Sequence, residues 1–190
     1  MKKHLVSIVA VLFFSLALVS FASAQSSDKP AIEKTAVTKM TATVEKIDYE
    51  KRLVTLKGPK GNVATIKAGD EVKNLAMVKV GDKIVAEYYE SLVVEVLKAG
   101  EATPGTQAGS AVARAKTGEK PAGVAANTIT VTATIDKIDK KAQTVTLKGP
   151  EGNKETIKVK DPNNLKKVKV GDQVVISYTE ALAIAVEKAK

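Results

Sequence analysis

The sequence predicts an all-β protein built from two tandem, small, five-stranded barrels joined by a flexible linker. A unit of about 60 residues occurs twice, and short segments of alternating apolar and polar residues recur within each unit. Gly and Pro lie between these segments, where tight turns need them. Five short strands with a brief insertion between the third and fourth are typical of an OB-like barrel. An SH3-like barrel or an open meander fits the same pattern, because periodicity does not report closure.

The first 24 residues have the layout of a secretory signal peptide. Lys2 and Lys3 precede an apolar run over residues 5–21, and Ala22-Ser23-Ala24 supplies the small residues of a cleavage site. A membrane anchor needs about 20 apolar residues, whereas this run is shorter and contains serines. We therefore expect cleavage near Ala24 and a periplasmic or secreted product with no transmembrane segment.

Composition excludes most reactive side-chain chemistry. The chain has 30 Lys and Arg, 21 Asp and Glu, a net charge of +9, and neither Cys nor Trp. Its one His and its three Phe lie within the signal peptide, so the mature chain has no thiol, imidazole or thiolate ligand. Zinc fingers, haem ligation, thiol redox sites and Ser/His/Asp triads are thereby excluded. The sequence predicts no enzyme and no cofactor.

Self-comparison defines the domain organisation. Residues 42–67 match residues 133–158 at an offset of 91, and residues 74–99 match residues 164–189 at an offset of 90. The segment between the copies is rich in Ala, Gly, Thr and Pro and cannot bury enough surface to offset its ordering entropy. The predicted units are a signal peptide (1–24), a flexible tail (25–40), repeat one (41–99), a disordered linker (100–127) and repeat two (128–190). Residues 31–40 could instead form an isolated helical turn or extend the first strand.

Each repeat has five predicted strands. In repeat one they cover residues 43–47, 53–57, 63–68, 83–90 and 92–98. A short polar hairpin joins the first two, the turn Gly58-Pro59-Lys60-Gly61-Asn62 introduces the third, and one helical turn or loop over residues 70–77 precedes the fourth. The inward face of the fourth strand is expected to carry Tyr88, and Tyr178 in repeat two.

The segments ATVEKIDYEKRLVTLKGP and NLAMVKVGDKIVAEY resemble the small periplasmic copper-chaperone family of the Cus efflux system and related exported OB-like domains of unknown function. The resemblance implies an OB barrel. That family places a His, a Trp and a Met-x-Met pair around the end of the second strand and the third. Residues 57–62 and 148–153 contain no His, Trp or Met, and Cu(I) needs such soft donors. The barrel therefore carries over and the metal site does not.

The densest basic cluster lies in repeat two and consists of Lys158, Lys160, Lys166, Lys167 and Lys169. It could form an anion-binding surface, although charge runs are usually solvated faces. The net charge is +1 over residues 42–99 and +4 over residues 133–190. A polyanion site, if there is one, therefore belongs to repeat two.

Aromatic and acidic residues offer weaker candidates. Base stacking needs exposed aromatics, and the outward candidates, Tyr49 and Tyr89, are confined to repeat one. Nucleic-acid binding is therefore disfavoured. The carboxylates at the hairpins and at the Val-Gly-Asp turns could act as acid and base or bind a hard cation, but turn chemistry already explains them. They are Asp48, Glu50, Asp139, Asp82 and Asp172. Glu90 and Glu180 are expected to be solvated.

The sequence thus predicts an exported, non-enzymatic binding or scaffold protein of the cell envelope. Its partner is an unknown envelope protein or an anionic polymer, and the oligomeric state is left open. Two weak sites on one chain would gain avidity if the linker can span them. The alternative is a periplasmic metal-handling accessory protein that keeps the chaperone fold without its ligands.

Overall fold

The computed structural model describes residues 29–189, so the predicted signal peptide lies outside the described residues. Nine strands follow one another in these residues: β1 (Ala31–Asp48), β2 (Leu53–Lys57), β3 (Val63–Lys67), β4 (Lys83–Leu97), β5 (Gly105–Arg114), β6 (Ala122–Asp139), β7 (Thr144–Lys148), β8 (Lys154–Lys158) and β9 (Gln173–Glu187). Single-turn 3-10 helices at Leu75–Met77 and Pro162–Lys166 precede β4 and β9. The predicted all-β class is confirmed.

All nine strands belong to one antiparallel sheet with the order β3-β2-β1-β4-β9-β6-β7-β8, and β5 pairs with β6. The sheet is not closed on itself, and two separate five-stranded barrels are not confirmed. The difference arises in the predicted fourth and fifth strands, which run together without a turn in β4 and again in β9. Ser91 continues the ladder, because it lies opposite Thr35 of β1 and Thr179 of β9.

Two segments that were predicted to be irregular form strands. Ala31–Met40 extends the first strand, which was one of the alternatives left open for it. Gly105–Arg114, within the predicted disordered linker, forms β5 and pairs with the first part of β6. The composition of β5 gives no apolar pattern, but its backbone pairs with β6 along its whole length. Just beyond its end, the Ala115 N–H donates to the Ala122 carbonyl over 2.8 Å.

A separate hydrophobic core lies at each end of the sheet. The first core contains Val44, Val54, Leu75 and Val78. The second contains Val96, Ala133, Ile135, Val145, Leu147, Leu165 and Val174. Val96 belongs to β4 of repeat one, and Val186 of β9 packs in turn against the first core. Each long strand therefore leaves its own repeat and contributes to the core of the other.

The pairing of β4 with β9 has a pseudo-two-fold axis. Equivalent residues of the two repeats differ by 90 in number here, and Glu90 lies directly opposite Glu180. Lys83 opposes Glu187 at one end of the ladder, and Leu97 opposes Gln173 at the other. Each residue of β4 thus pairs with a residue of β9, the equivalent strand of repeat two. The two repeats associate as the subunits of an isologous dimer do.

Candidate binding surfaces

The central strands expose a large apolar surface on one side of the sheet. Side chains of alternate residues share a face of a sheet, and the registers place the same face of β1, β4, β9, β6 and β5 together. We call this surface the open face. Its exposed large apolar side chains are Ile32, Met40, Leu92, Val112, Ile129, Tyr178, Leu182 and Ile184.

The opposite face of these strands carries mostly small or polar side chains. The hydroxyls of Thr128 and Thr179 lie 3.0 Å apart, and those of Thr130 and Ser177 also lie 3.0 Å apart. On this face of the described central strands, Val37 is the one large apolar side chain that is exposed. Apolar surface is therefore concentrated on the open face.

A polar row crosses the middle of the open face at the pseudo-two-fold axis. The hydroxyls of Tyr88 and Tyr178 donate to one Glu90 oxygen over 3.1 and 3.0 Å. Tyr88 also lies 3.5 Å from Glu180, as does the amide nitrogen of Asn127. Burial and the hydrogen bond to Glu90 raise the pKa of Tyr88, and the hydrogen bond to Glu90 followed by burial raises the pKa of Tyr178. Both phenols therefore remain neutral donors.

This row corrects two predictions. Tyr178 was expected to be a core residue, but its side chain lies on the open face and is 38% exposed. Glu90 and Glu180 were expected to be solvated, and both are half-buried acceptors. The alternation placed Tyr88 and Tyr178 on the apolar face, as observed. That face is left uncovered because β4 and β9 extend across the sheet instead of turning back to close a barrel.

Two buried ion pairs connect the repeats. Lys120 contacts Asp82, and Lys29 contacts Asp172. The Lys79 N–H donates over 2.8 Å to the Asp82 oxygen that Lys120 contacts. In the same way, the Lys169 N–H donates over 2.8 Å to the Asp172 oxygen that Lys29 contacts. Burial opposes ionisation of Asp82, but the hydrogen bonds from Lys120 and from the backbone outweigh it and hold the pKa of Asp82 below its ordinary value.

The turn positions of Asp82 and Asp172 agree with the sequence prediction, which did not include their lysine partners. Both aspartates do lie in turns, and their carboxylates also join the repeats, since each lysine comes from the segment that begins the other repeat. A signal was available: Lys-Pro-Ala occurs at residues 29–31 and again at residues 120–122, at the repeat offset of 91. It marks where each repeat begins, within the predicted tail and the predicted linker.

The lysine cluster lies at the repeat-two end of the sheet. Lys158 ends β8, Lys160 follows it, Lys166 ends the second 3-10 helix, and Lys167 and Lys169 lead towards β9. All five are exposed, and none of them takes part in an ion pair with another described residue. The intervening Val159, Leu165 and Val168 pack in the second core. The lysines thus form the outer side of the segment that covers this core, and anion binding there stays a prediction.

The remaining candidates have local structural roles. Asp48 accepts from the Lys51 N–H over 2.9 Å, and Asp139 accepts from the Ala142 N–H over 2.9 Å, so both stabilise hairpin turns. Glu50 is exposed in the first of these turns. Tyr49 donates to the Val78 carbonyl over 2.8 Å. Within residues 29–189, no group of three or more Asp, Glu, His or Cys side chains is arranged to hold a metal ion.

Tyr89, the other outward aromatic, is half-buried on the side opposite the open face.

No helix among residues 29–189 has the length and apolar character needed to cross a membrane. Compared with protein-family models, curated proteins and solved structures, the chain gives no match. The resemblance to the copper-chaperone family stays a prediction.

Proposed function

We propose that this protein is an exported, non-enzymatic binding or scaffold protein of the cell envelope, and that it contacts its partner through the open face. The observation that carries the proposal is the set of exposed apolar side chains that five adjacent strands present on the open face. Large contiguous apolar patches are rare on proteins that act alone and commonly mark interaction surfaces. The signal-peptide layout of residues 1–24 supports export.

The arrangement of the open face favours a protein partner with a mixed surface. Leu92, Tyr178 and Ile129 lie side by side on one flank of the polar row, and Leu182 lies on the other flank. Between them, Glu90 lies directly opposite Glu180 at the axis. An apolar partner surface with a central basic or hydrogen-bond-donating group would satisfy both features. An interface of this kind needs an apolar centre with its polar groups paired.

Site-specific photo-crosslinking in the native cell envelope tests this proposal. A photoreactive phenylalanine analogue replaces Leu182 on the open face or, as the matched control, its neighbour Ala183 on the opposite face of the same strand. We expect discrete adducts from position 182 and few from position 183, with the adducts identified by mass spectrometry. Equal labelling at the two positions, or none at either in folded protein, would exclude the open face as the binding surface.

A second candidate ligand is an anionic polymer bound at the lysine cluster. The specific observation that favours it is the exposure of five lysines without an acidic partner among the described residues. Retention on heparin across a salt series tests this candidate. The double substitution Lys166→Glu plus Lys167→Glu should reduce retention more than Lys60→Glu plus Lys73→Glu, which makes the same change in net charge in repeat one. Equal loss in both variants would show a response to net charge alone.

A further inference from the structure

The two repeats differ at the outer edges of their first strands. β1 pairs with β4 along residues 31–43, but on its other side β2 pairs only from Thr43 onward. Among residues 29–189, no strand lies along the outer edge of residues 31–42. In repeat two, β5 covers the equivalent edge of β6. The sheet therefore ends in an open edge of about 12 residues, and such an edge is a template for pairing with another strand.

The direction of the backbone hydrogen bonds identifies the groups on this edge. Alternate residues of a strand direct their N–H and C=O groups to opposite sides. The Pro30 carbonyl accepts from the Val96 N–H over 3.1 Å, and Val44 bonds to Asp82 on the same side over 2.8 Å. Even-numbered residues of β1 therefore bond to β4. The backbone groups of the odd-numbered residues point outward: Ala31, Glu33, Thr35, Val37, Lys39 and Thr41.

We propose that the outer edge of β1 pairs with β1 of a second copy of this chain, in antiparallel orientation and about a two-fold axis at Ala36. In this register Glu33 lies opposite Lys39 of the second copy, and Ile32 lies opposite its Met40. Both pairs occur twice by symmetry. Every outward N–H and C=O group from residue 31 to residue 41 then has a partner.

The neighbouring registers lack this complementarity. The outward N–H and C=O groups of odd-numbered residues must lie opposite those of odd-numbered residues in the second copy. The axis can therefore pass through Thr35, Ala36 or Val37, but not between two residues. An axis at Thr35 places Glu33 opposite Val37, and an axis at Val37 places Glu33 opposite Thr41. Neither brings opposite charges together, and cross-strand charge pairs contribute to the choice of partner and register. The sequence of β1 thus selects the axis at Ala36.

The same register covers exposed apolar surface. Ile32 is 50% exposed and Met40 is 59% exposed, and both lie on the open face. The proposed pairing brings them together at two places along the seam. Lys39 already bonds to Glu87 of its own chain over 2.7 Å on the opposite face, and Glu33 of the second copy would extend this pair into an acid-base-acid row. The open faces of the two copies would then form one continuous surface.

The main test uses the absence of cysteine from the chain. In the proposed register Ala36 lies opposite Ala36 of the second copy, and the two residues form a non-hydrogen-bonded pair. The Cα atoms of such a pair lie about 4.5 Å apart, which is within disulfide range. Mild oxidation of the mature Ala36→Cys chain should therefore give a disulfide-linked dimer. Thr38→Cys, on the same face but opposite Lys34, is the matched control and should form several-fold less. Equal cross-linking of the two variants would overturn the proposed register.

Proline substitutions test whether the edge itself carries the association. Thr35 directs its N–H outward, so Thr35→Pro removes an intermolecular donor while sparing the bonds to β4. Ser110→Pro is the control, because the alternation places the N–H of Ser110 on the outer edge of β5. Sedimentation velocity across a concentration series should show a dimer for the wild type and for Ser110→Pro, and monomer for Thr35→Pro. A monomeric wild type, a dimer that only Ser110→Pro breaks, or open-ended polymers that pair β1 with β5 would overturn the proposal.

Charge reversal gives the sharpest outcome. Glu33→Lys and Lys39→Glu each place like charges opposite one another twice, and we expect about a tenfold or greater rise in the dimer dissociation constant for each. When the two variants are mixed, both positions regain opposite charges in the mixed dimer. Mixed dimers should therefore form near the wild-type concentration range, as measured by sedimentation of the mixture. Failure of the mixture to associate while the wild type dimerises would refute the Glu33 to Lys39 pairing.

Discussion

The ion pair between Lys120 and Asp82 connects the two repeats, and substitution can test how much it stabilises them. The substitution Lys120→Met removes the ammonium group and keeps most of the aliphatic stem. The side chain of Asp82 is 6% exposed and that of Lys120 is 16% exposed. After the substitution, the buried carboxylate keeps the backbone N–H of Lys79 but no cation. Removing one partner of a buried pair typically costs about 3–5 kcal/mol, and because Lys120 is partly exposed we expect the substitution to cost about 3 kcal/mol.

Urea unfolding of the wild type and of Lys120→Met, with equal m-values, measures this cost. Lys154→Met is the matched control. Lys154 and Asp136 form an ion pair of 2.8 Å, but their side chains are 54% and 32% exposed. Exposed pairs contribute about 0–1 kcal/mol, so this control should unfold near the wild-type midpoint. Similar losses for the two variants would refute the reasoning that burial and the connection between repeats make the Lys120 pair strong.

The remaining predictions concern Asp82, Ile135 and Gly81. Folding lowers the pKa of Asp82, so the stability that the ionised carboxylate contributes is present above its unfolded pKa of 3.8 and is lost as the pH falls through the lower folded pKa. The difference in unfolding free energy between wild type and Lys120→Met, measured by urea unfolding, should therefore shrink below about pH 4. Ile135→Ala should lower the free energy of unfolding by about 2–5 kcal/mol, because Ile135 is 2% exposed, and a loss under about 1 kcal/mol would show that this core is not tightly packed. Gly81 has φ +91°, so Gly81→Ala should cost about 1–2 kcal/mol, measured by thermal unfolding, and an unchanged midpoint would contradict the strained turn.

Local structure was largely predictable from the sequence. β2 has the predicted bounds, Leu53–Lys57, and β3 differs by one residue at its end. The turn at residues 58–62 also forms as predicted: Gly58 N–H donates to the Asn62 carbonyl over 2.8 Å, and Gly61 has φ +83°. These features depend on neighbouring residues, and alternation with turn residues reports them directly.

The pairing between repeats was not predictable in this way. The largely apolar segment LVVEVL at residues 92–97 suits a strand whether it closes its own barrel or pairs with the other repeat, because a backbone ladder does not specify which strand it joins. The sequence therefore left open the choice that determines the architecture. Lys29 and Lys120, which also join the repeats, contact aspartates that lie 143 and 38 positions away in sequence. Pairs so distant give no local pattern.

The two repeats differ in how the glutamates at the axis of the internal pairing are hydrogen-bonded. A two-fold axis makes each residue on it face its counterpart, so Glu90 must oppose Glu180, although like charges directly opposite are destabilising. Both tyrosine hydroxyls donate to Glu90. Glu180 instead has Tyr88 and Asn127, each at 3.5 Å.

At the offset of 91, the counterpart of Asn127 in repeat one is Ala36. Repeat two therefore has an amide that contacts its own carboxylate, on a strand whose outer edge β5 covers. Repeat one has a small apolar residue at the same position, on the edge that no described strand covers. A polar side chain is useful where a carboxylate needs a donor. A methyl group at the centre of an open edge leaves room for the same residue of a second copy, which is the arrangement that the Ala36 axis requires.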